Sequence, residues 1–143
     1  MAEGRSTRTG GCLCGAVRLE IVGEPIYVGH CCCEDCQRFT GGGHASAAIF
    51  KADQVTRTGD LREFGVTTER GSEAFRLFCT ICGSGVLSRN STYPDVVAVT
   101  LGVLDETDDL TPQSVIYARS RRSWDAFDAD LPLFETQPDA GEA

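Results

Sequence analysis

Apolar and polar residues alternate in steps of two along much of the chain. In Ala16-Val17-Arg18-Leu19-Glu20-Ile21, the residues Val17, Leu19 and Ile21 fall on one side and Arg18 and Glu20 on the other. Alternate side chains of an extended chain point to opposite faces, so the segment is expected to be a half-buried strand. Comparable runs rich in valine, isoleucine and phenylalanine occupy 25–28, 45–50, 61–64, 74–78, 85–88, 95–101 and 114–117. Such residues suit a pleated surface packed on one side. Turn signals punctuate the runs at Gly23-Glu24-Pro25, Gly41-Gly42-Gly43, Thr58-Gly59-Asp60 and Tyr93-Pro94-Asp95. Only 33–39, 52–56 and 104–108 read as short helical turns. The pattern predicts an all-β domain of small twisted sheets with few short helical turns.

A length of 143 residues suits one domain. Residues 1–10 and 136–143 are small and polar and are expected to be flexible termini, leaving 11–135 as the folded domain. A hydrophobic fraction of 41% with 24% charged residues is ordinary for a globular chain and excludes disorder throughout. The longest apolar stretch, from Val96 to Leu104, is broken by Thr100 and Gly102 and is about half of the ~20 residues that span a bilayer. No membrane association is expected. The first ten residues contain no apolar h-region, so no secretory signal is expected and the compartment is read as cytoplasmic. Acids outnumber bases 21 to 13, for a formal charge of −8. That is the wrong sign for grasping a phosphate backbone, and nucleic acid is not an expected partner.

Cysteine changes the picture. The chain has eight: Cys12, Cys14, Cys31, Cys32, Cys33, Cys36, Cys79 and Cys82. Stable disulfides are rare in a reducing cytosol, and neighbours such as Cys31 and Cys32 have poor geometry for bonding to each other. Clustered thiols in such a chain read as metal ligands. Cys79-Thr80-Ile81-Cys82-Gly83 has the spacing of a knuckle whose sulfurs converge on one metal, with glycine free to take the positive φ of the turn. Cys12-Leu13-Cys14 also brings two sulfurs to one side. Together they form a four-thiolate set suited to a structural zinc that ties the start of the domain to its middle. Unrelated pairs of buried free cysteines are the plainer reading.

The second constellation is His30-Cys31-Cys32-Cys33-Glu34-Asp35-Cys36-Gln37-Arg38. Cys31 and Cys33 share a side and Cys36, a turn later, returns to the same point, which leaves Cys32 as the odd thiol. Three ligands leave a zinc position open for substrate. Zinc with three thiolates is a weaker Lewis acid than zinc with three neutral histidines, and suits holding a substrate thiol as thiolate. Cys31, Cys33 and Cys36 are therefore read as a catalytic set for sulfur chemistry. A second structural site completed by His30, His44 or Cys32 is the alternative. Arg38, beside the open site, is a candidate to hold an anionic substrate, or else a surface arginine. Arg119, Arg121 and Arg122 form the one basic cluster, a partner patch or a solvated face. Glu34 and Asp35 read as turn residues or thiol bases, and Trp124 and Phe127 as core or pocket wall.

Gly11-Cys12-Leu13-Cys14-Gly15-Ala16-Val17, then Cys31-x-Cys33-x-x-Cys36, then Phe78-Cys79-x-x-Cys82-Gly83-Ser84 resembles the glutathione-dependent formaldehyde-activating enzyme family, which includes the domain of centromere protein V. Ser123-Trp124 followed by Leu131-Pro132-Leu133-Phe134 resembles its closing segment. The resemblance implies a β-tent of small antiparallel sheets stapled by a structural zinc at Cys12, Cys14, Cys79 and Cys82. It implies a second, labile zinc at Cys31, Cys33 and Cys36. The activity it implies is a carbon–sulfur lyase reaction in reverse, forming S-(hydroxymethyl)glutathione from formaldehyde and glutathione. A noncatalytic zinc-binding module for glutathione or a protein partner, and a thiol redox or zinc sensor, are the competing readings.

Overall fold

Leu19 and Ile21 alternate with Arg18 and Glu20 in a strand of the computed structural model, which describes residues 6–138. The outermost residues expected to be flexible, 1–5 and 139–143, lie outside the described residues. The described residues are all-β apart from one short helix and three 3-10 turns. In order it runs β1 (Thr7–Gly11), β2 (Arg18–Val22), β3 (Tyr27–Cys31), α1 (Glu34–Thr40), β4 (Ala45–Lys51) and β5 (Val55–Thr58). Then come β6 (Leu61–Thr67), β7 (Glu73–Cys79), β8 (Gly85–Asn90), β9 (Val96–Thr100) and β10 (Val115–Ile116).

The strands make a three-stranded sheet, β1-β2-β5, and a seven-stranded sheet, β10-β3-β4-β9-β8-β7-β6. Every pairing is antiparallel except β10 with β3. Register in the larger sheet lines up Val28, Ala48, Val99, Leu87 and Leu77 on five adjacent strands. All five are buried, and they pack with Val17, Leu19 and Ile21 of the smaller sheet's side in one cluster that includes Phe50 and Val86. Each fully buried aliphatic side chain contributes roughly 1.5–3 kcal/mol, so the core between the two sheets is the main stabilising element.

Several expectations change. Thr7–Gly11 is a strand, not a flexible end. Its sequence is polar and carries no apolar alternation, but it pairs along its length with β2. A Cβ at Gly10 would lie 2.4 Å from the Val103 carbonyl oxygen, so glycine lets β1 pass directly over that turn. At the other end, Ala118 N–H donates to Phe134 O at 2.9 Å and Arg70 Nη2 to Gln137 O at 2.6 Å, which extends the packed chain past 135. The turn expected over 52–56 is a three-residue 3-10 turn, Ala52–Gln54, and Val55 already begins β5. The turn expected over 104–108 falls earlier, at Leu101–Val103.

Candidate functional site

Four sulfurs, from Cys12, Cys14, Cys79 and Cys82, lie within 4.8 Å of one another where the β1–β2 turn meets the turn after β7. Both turns have the expected knuckle form. Gly83, at φ 78°, donates its N–H to Cys79 O at 3.0 Å, and Gly15, at φ 83°, donates to Cys12 O at 3.2 Å. Backbone N–H groups point at the sulfurs: Val17 N at 3.3 Å from Cys12 Sγ and Ile81 N at 3.4 Å from Cys79 Sγ. Ser84 joins the two turns, accepting from Leu13 N at 3.0 Å and lying 3.2 Å from Cys82 Sγ. The Ser84 hydroxyl, with its backbone N–H, holds the Cys82 thiol down at about 5.

Cys12 and Cys14 Sγ are 3.6 Å apart, and Cys14 and Cys79 Sγ 3.8 Å. Four thiolates placed tetrahedrally ~2.3 Å from a metal stand about 3.8 Å from each other, so the spacing fits a tetrahedral thiolate-bound ion. It is far beyond the ~2.05 Å of a disulfide.

The second set is Cys31 at the end of β3, Cys33 and Cys36, again within 4.8 Å of one another. Cys33 caps α1, its Sγ accepting from Cys36 N at 3.3 Å, while Gly41 closes the helix in the left-handed region. One short helical turn thus returns Cys36 to Cys33. Thiol hydrogen bonds from Cys31 and Cys36 pull the Cys33 thiol strongly down, and the same contacts with burial push Cys31 up. The contacts favour the thiolate form at Cys33, and thiolates are the donors a soft metal takes. Both clusters can hold a metal ion.

Cys31, Cys33 and Cys36 line a cavity of about 350 Å³ on the outer face of the large sheet. Register explains its floor. Tyr27, Ile49, Ala98, Ser88 and Arg76 align across five strands, one residue out of step with the buried core positions. Gly29, Ala47, Ala45 and Cys31 extend the same face. A Cβ at Gly29 would lie 2.5 Å from Tyr27 Oη, so any larger residue there would have to displace the Tyr27 ring. The Tyr27 ring lies across Gly29 and its hydroxyl bonds Ser114 Oγ. Arg76 Nη2 lies 3.7 Å from Cys36 Sγ.

Arg76 was not a candidate from the sequence, although one signal was present. Glu73-Ala74-Phe75-Arg76-Leu77-Phe78-Cys79 sets Arg76 on the face opposite Leu77 and Cys79, so that face of β7 is not core. Arg38 is exposed and lines an adjoining cleft with Phe39, Phe64 and Phe78; Asp35 and Arg76 line both.

His30 borders the cavity beside Cys31, whereas His44 does not, and the two rings pack on each other. His30 pairs with Ser46, Nδ1 to Oγ at 2.8 Å, and its ring lies 4.6 Å from that of His44. His44 Nδ1 meets Asp125 Oδ2 at 2.7 Å, and Phe127 packs on both rings. Burial, reinforced by His44, pushes His30 down to about 4, so its imidazole is neutral. Neither histidine is in a converging ligand group among the described residues, nor is Cys32, which is fully buried. The basic cluster is dispersed: Arg119 pairs with Glu69, and Arg122 Nε donates to Gln37 Oε1 at 2.9 Å. Trp124 is exposed rather than core.

No helix among the described residues is long and apolar enough to cross a membrane. The chain shares its fold with a Rhodobacter sphaeroides protein whose crystal structure was determined as a structural-genomics target. The two superpose with a TM-score of 0.57 at 22% identity, over 87% of this chain and 98% of the other. A comparison with curated proteins gives no significant match. The family profile described as glutathione-dependent formaldehyde-activating enzyme matches residues 7–120, from the first strand through the segment after β10. With both cysteine sets inside that span, the chain belongs to the glutathione-dependent formaldehyde-activating enzyme family.

Proposed function

We propose that the protein catalyses addition of a small-molecule thiol, such as glutathione, to formaldehyde or another small carbonyl at Cys31, Cys33 and Cys36. The observation that supports this most is the contrast between the clusters. Four thiols converge in one and three in the other, and the three border a cavity. Zinc suits both all-thiolate sets, with Cys12, Cys14, Cys79 and Cys82 as the structural site and Cys31, Cys33 and Cys36 as the labile one. Zinc at the triad would supply Lewis acidity that lowers the pKa of a substrate thiol.

The chain's own groups do the rest. Arg76 is the cation placed to stabilise negative charge growing on the carbonyl oxygen as sulfur adds to carbon. Arg38, in the adjoining cleft, is assigned a carboxylate of the incoming thiol. In the reaction the sulfur–carbon bond forms, the carbonyl π bond becomes a C–O single bond, and the thiol proton ends on that oxygen. The domain from β1 to the packed segment past 135 is the catalytic unit in this reading, and a reducing, cytoplasmic setting would keep the eight thiols available.

The test is metal analysis of anaerobically purified protein followed by adduct formation from glutathione and formaldehyde. Two zincs per chain, one removed by a mild chelator, with loss of rate enhancement in Cys33→Ser at unchanged circular dichroism, are expected. A Cys33→Ser variant that accelerates the reaction as well as wild type would sink the proposal.

A further inference from the structure

Formaldehyde is a poor match to the space beside the triad. The cavity of about 350 Å³ falls in the ~300–1,000 Å³ range of pockets that enclose whole small molecules. A one-carbon aldehyde would leave nearly all of it to water against an apolar wall. That wall is built by alternation: Ala45, Ala47 and Ile49 of β4 and Val96 and Ala98 of β9 point outward between residues that point into the core. Small side chains at 45, 47 and 98 create the hollow, and the ring of Tyr27 lies flat along one side because Gly29 gives it room.

Charge narrows the occupant further. The Arg89 side chain is engaged elsewhere, 4.2 Å over the Phe75 ring and 2.5 Å from Glu63, and register sets it on the face opposite Ser88 and Arg76. Arg76 is then the one arginine side chain on the cavity face among the described lining residues, and it is engaged with Cys36. Asp35 and Glu69 also line the space. A body with two carboxylates, as in glutathione, has no adequate set of counter-charges there, and burying an unpaired carboxylate is costly. The charged thiol belongs in the Arg38 cleft on the other side of Asp35 and Arg76.

We propose that this cavity binds the uncharged, apolar body of a larger aldehyde, aromatic or branched, with its carbonyl directed at Cys31, Cys33, Cys36 and Arg76. The proposal rests on the reading of the triad as a thiol–carbonyl site. The step balances as before: the sulfur adds to the aldehyde carbon and the thiol proton passes to the oxygen, with no oxidant or reductant.

Zinc-loaded full-length protein is given glutathione with either formaldehyde or phenylacetaldehyde, and adduct exchange is followed by proton NMR. Binding of the unreactive analogue 2-phenylethanol is measured separately by ligand-observed NMR. Two variants, Ala98→Phe and Ala47→Leu, fill the hollow from different strands into open space. Wild type is expected to favour phenylacetaldehyde over formaldehyde in kcat/KM by about tenfold or more. Either variant should lose that preference by a similar factor and lose 2-phenylethanol binding, with circular dichroism unchanged. Formaldehyde turnover with no preference for phenylacetaldehyde and no 2-phenylethanol binding overturns the cavity proposal and leaves the thiol–carbonyl reading standing. Saturable 2-phenylethanol binding, abolished by both variants, with no acceleration of either aldehyde supports the apolar cavity and overturns the reaction assigned to it.

Discussion

Removing the metal from the four-cysteine cluster should cost the fold a calculable amount. The cluster joins Cys14 to Cys79, 65 positions along the chain. Cross-linking points that far apart removes loop-closure entropy from the unfolded chain, worth about 4 kcal/mol at 25 °C on the chain-entropy relation used for disulfides. Whole-domain stabilities are only about 5–15 kcal/mol, so the loss is a large share of the total. With a urea m-value of about 2 kcal/mol/M, it corresponds to a midpoint lowered by about 2 M. The assay is urea unfolding under anaerobic, reducing conditions, for zinc-loaded protein and for protein stripped by a strong chelator and freed of it. Re-addition of zinc should restore the midpoint. Cys14 is exposed, so Cys14→Ser opens no cavity and should weaken zinc retention without a packing defect. A stripped protein whose midpoint moves by less than about 0.3 M would refute the argument that this cluster clips the fold.

Other expectations follow from single contacts. Phe50 is fully buried in the core, and Phe50→Ala should destabilise by about 3–5 kcal/mol in the same urea assay. Gly59 sits at φ 92° with a would-be Cβ 2.1 Å from the Ala16 carbonyl oxygen, so Gly59→Ala should cost at least about 1–3 kcal/mol and lower the Tm. The hydrogen bond from Arg8 holds the Asp109 carboxyl below its ordinary 3.8. A carboxylate depressed in the folded state stabilises at pH above its unfolded value, and that stabilisation is lost as pH falls through the folded value. Asp109→Asn should therefore be less stable than wild type at pH 7, with the difference in urea midpoint closing as pH drops below 3.8; a difference that persists unchanged at pH 2 would argue against the ion pair.

How much of this was legible in the sequence depended on whether the information was local. The Cys79 to Gly83 knuckle and the return of Cys36 to Cys33 are settled within a single turn, and their spacing carries the geometry. The β4 and β9 runs were legible because apolar residues dominate both of their faces. For the same reason their second function was hidden, since Ala47, Ile49 and Ala98 look like core until register sets them on the cavity face. Arg76 meets Cys36 across 40 positions, a contact fixed by sheet pairing and invisible to any window of sequence. β1 was missed because Thr7-Arg8-Thr9-Gly10-Gly11 gains its place from ladder bonds and a glycine that permits close approach, neither of which leaves a hydrophobic pattern. The parallel partnership of β10 with β3 joins residues 85 apart through Val115 and His30 and had no local signature.

The alternation within β4 and β9 also bears on how such a protein can change. Ala48, Phe50 and Val99 answer to the interior, whereas Ala47, Ile49 and Ala98 answer to whatever enters from outside. Substitutions at the second group alter the shape of the chamber while the first group stays untouched. Two neighbouring positions in one strand thus meet separate physical demands, one set by the packed interior and one by the shape of the cavity. A lineage built on this sheet can diversify what it accepts by single-residue steps, each reversible and none requiring the scaffold to be rebuilt.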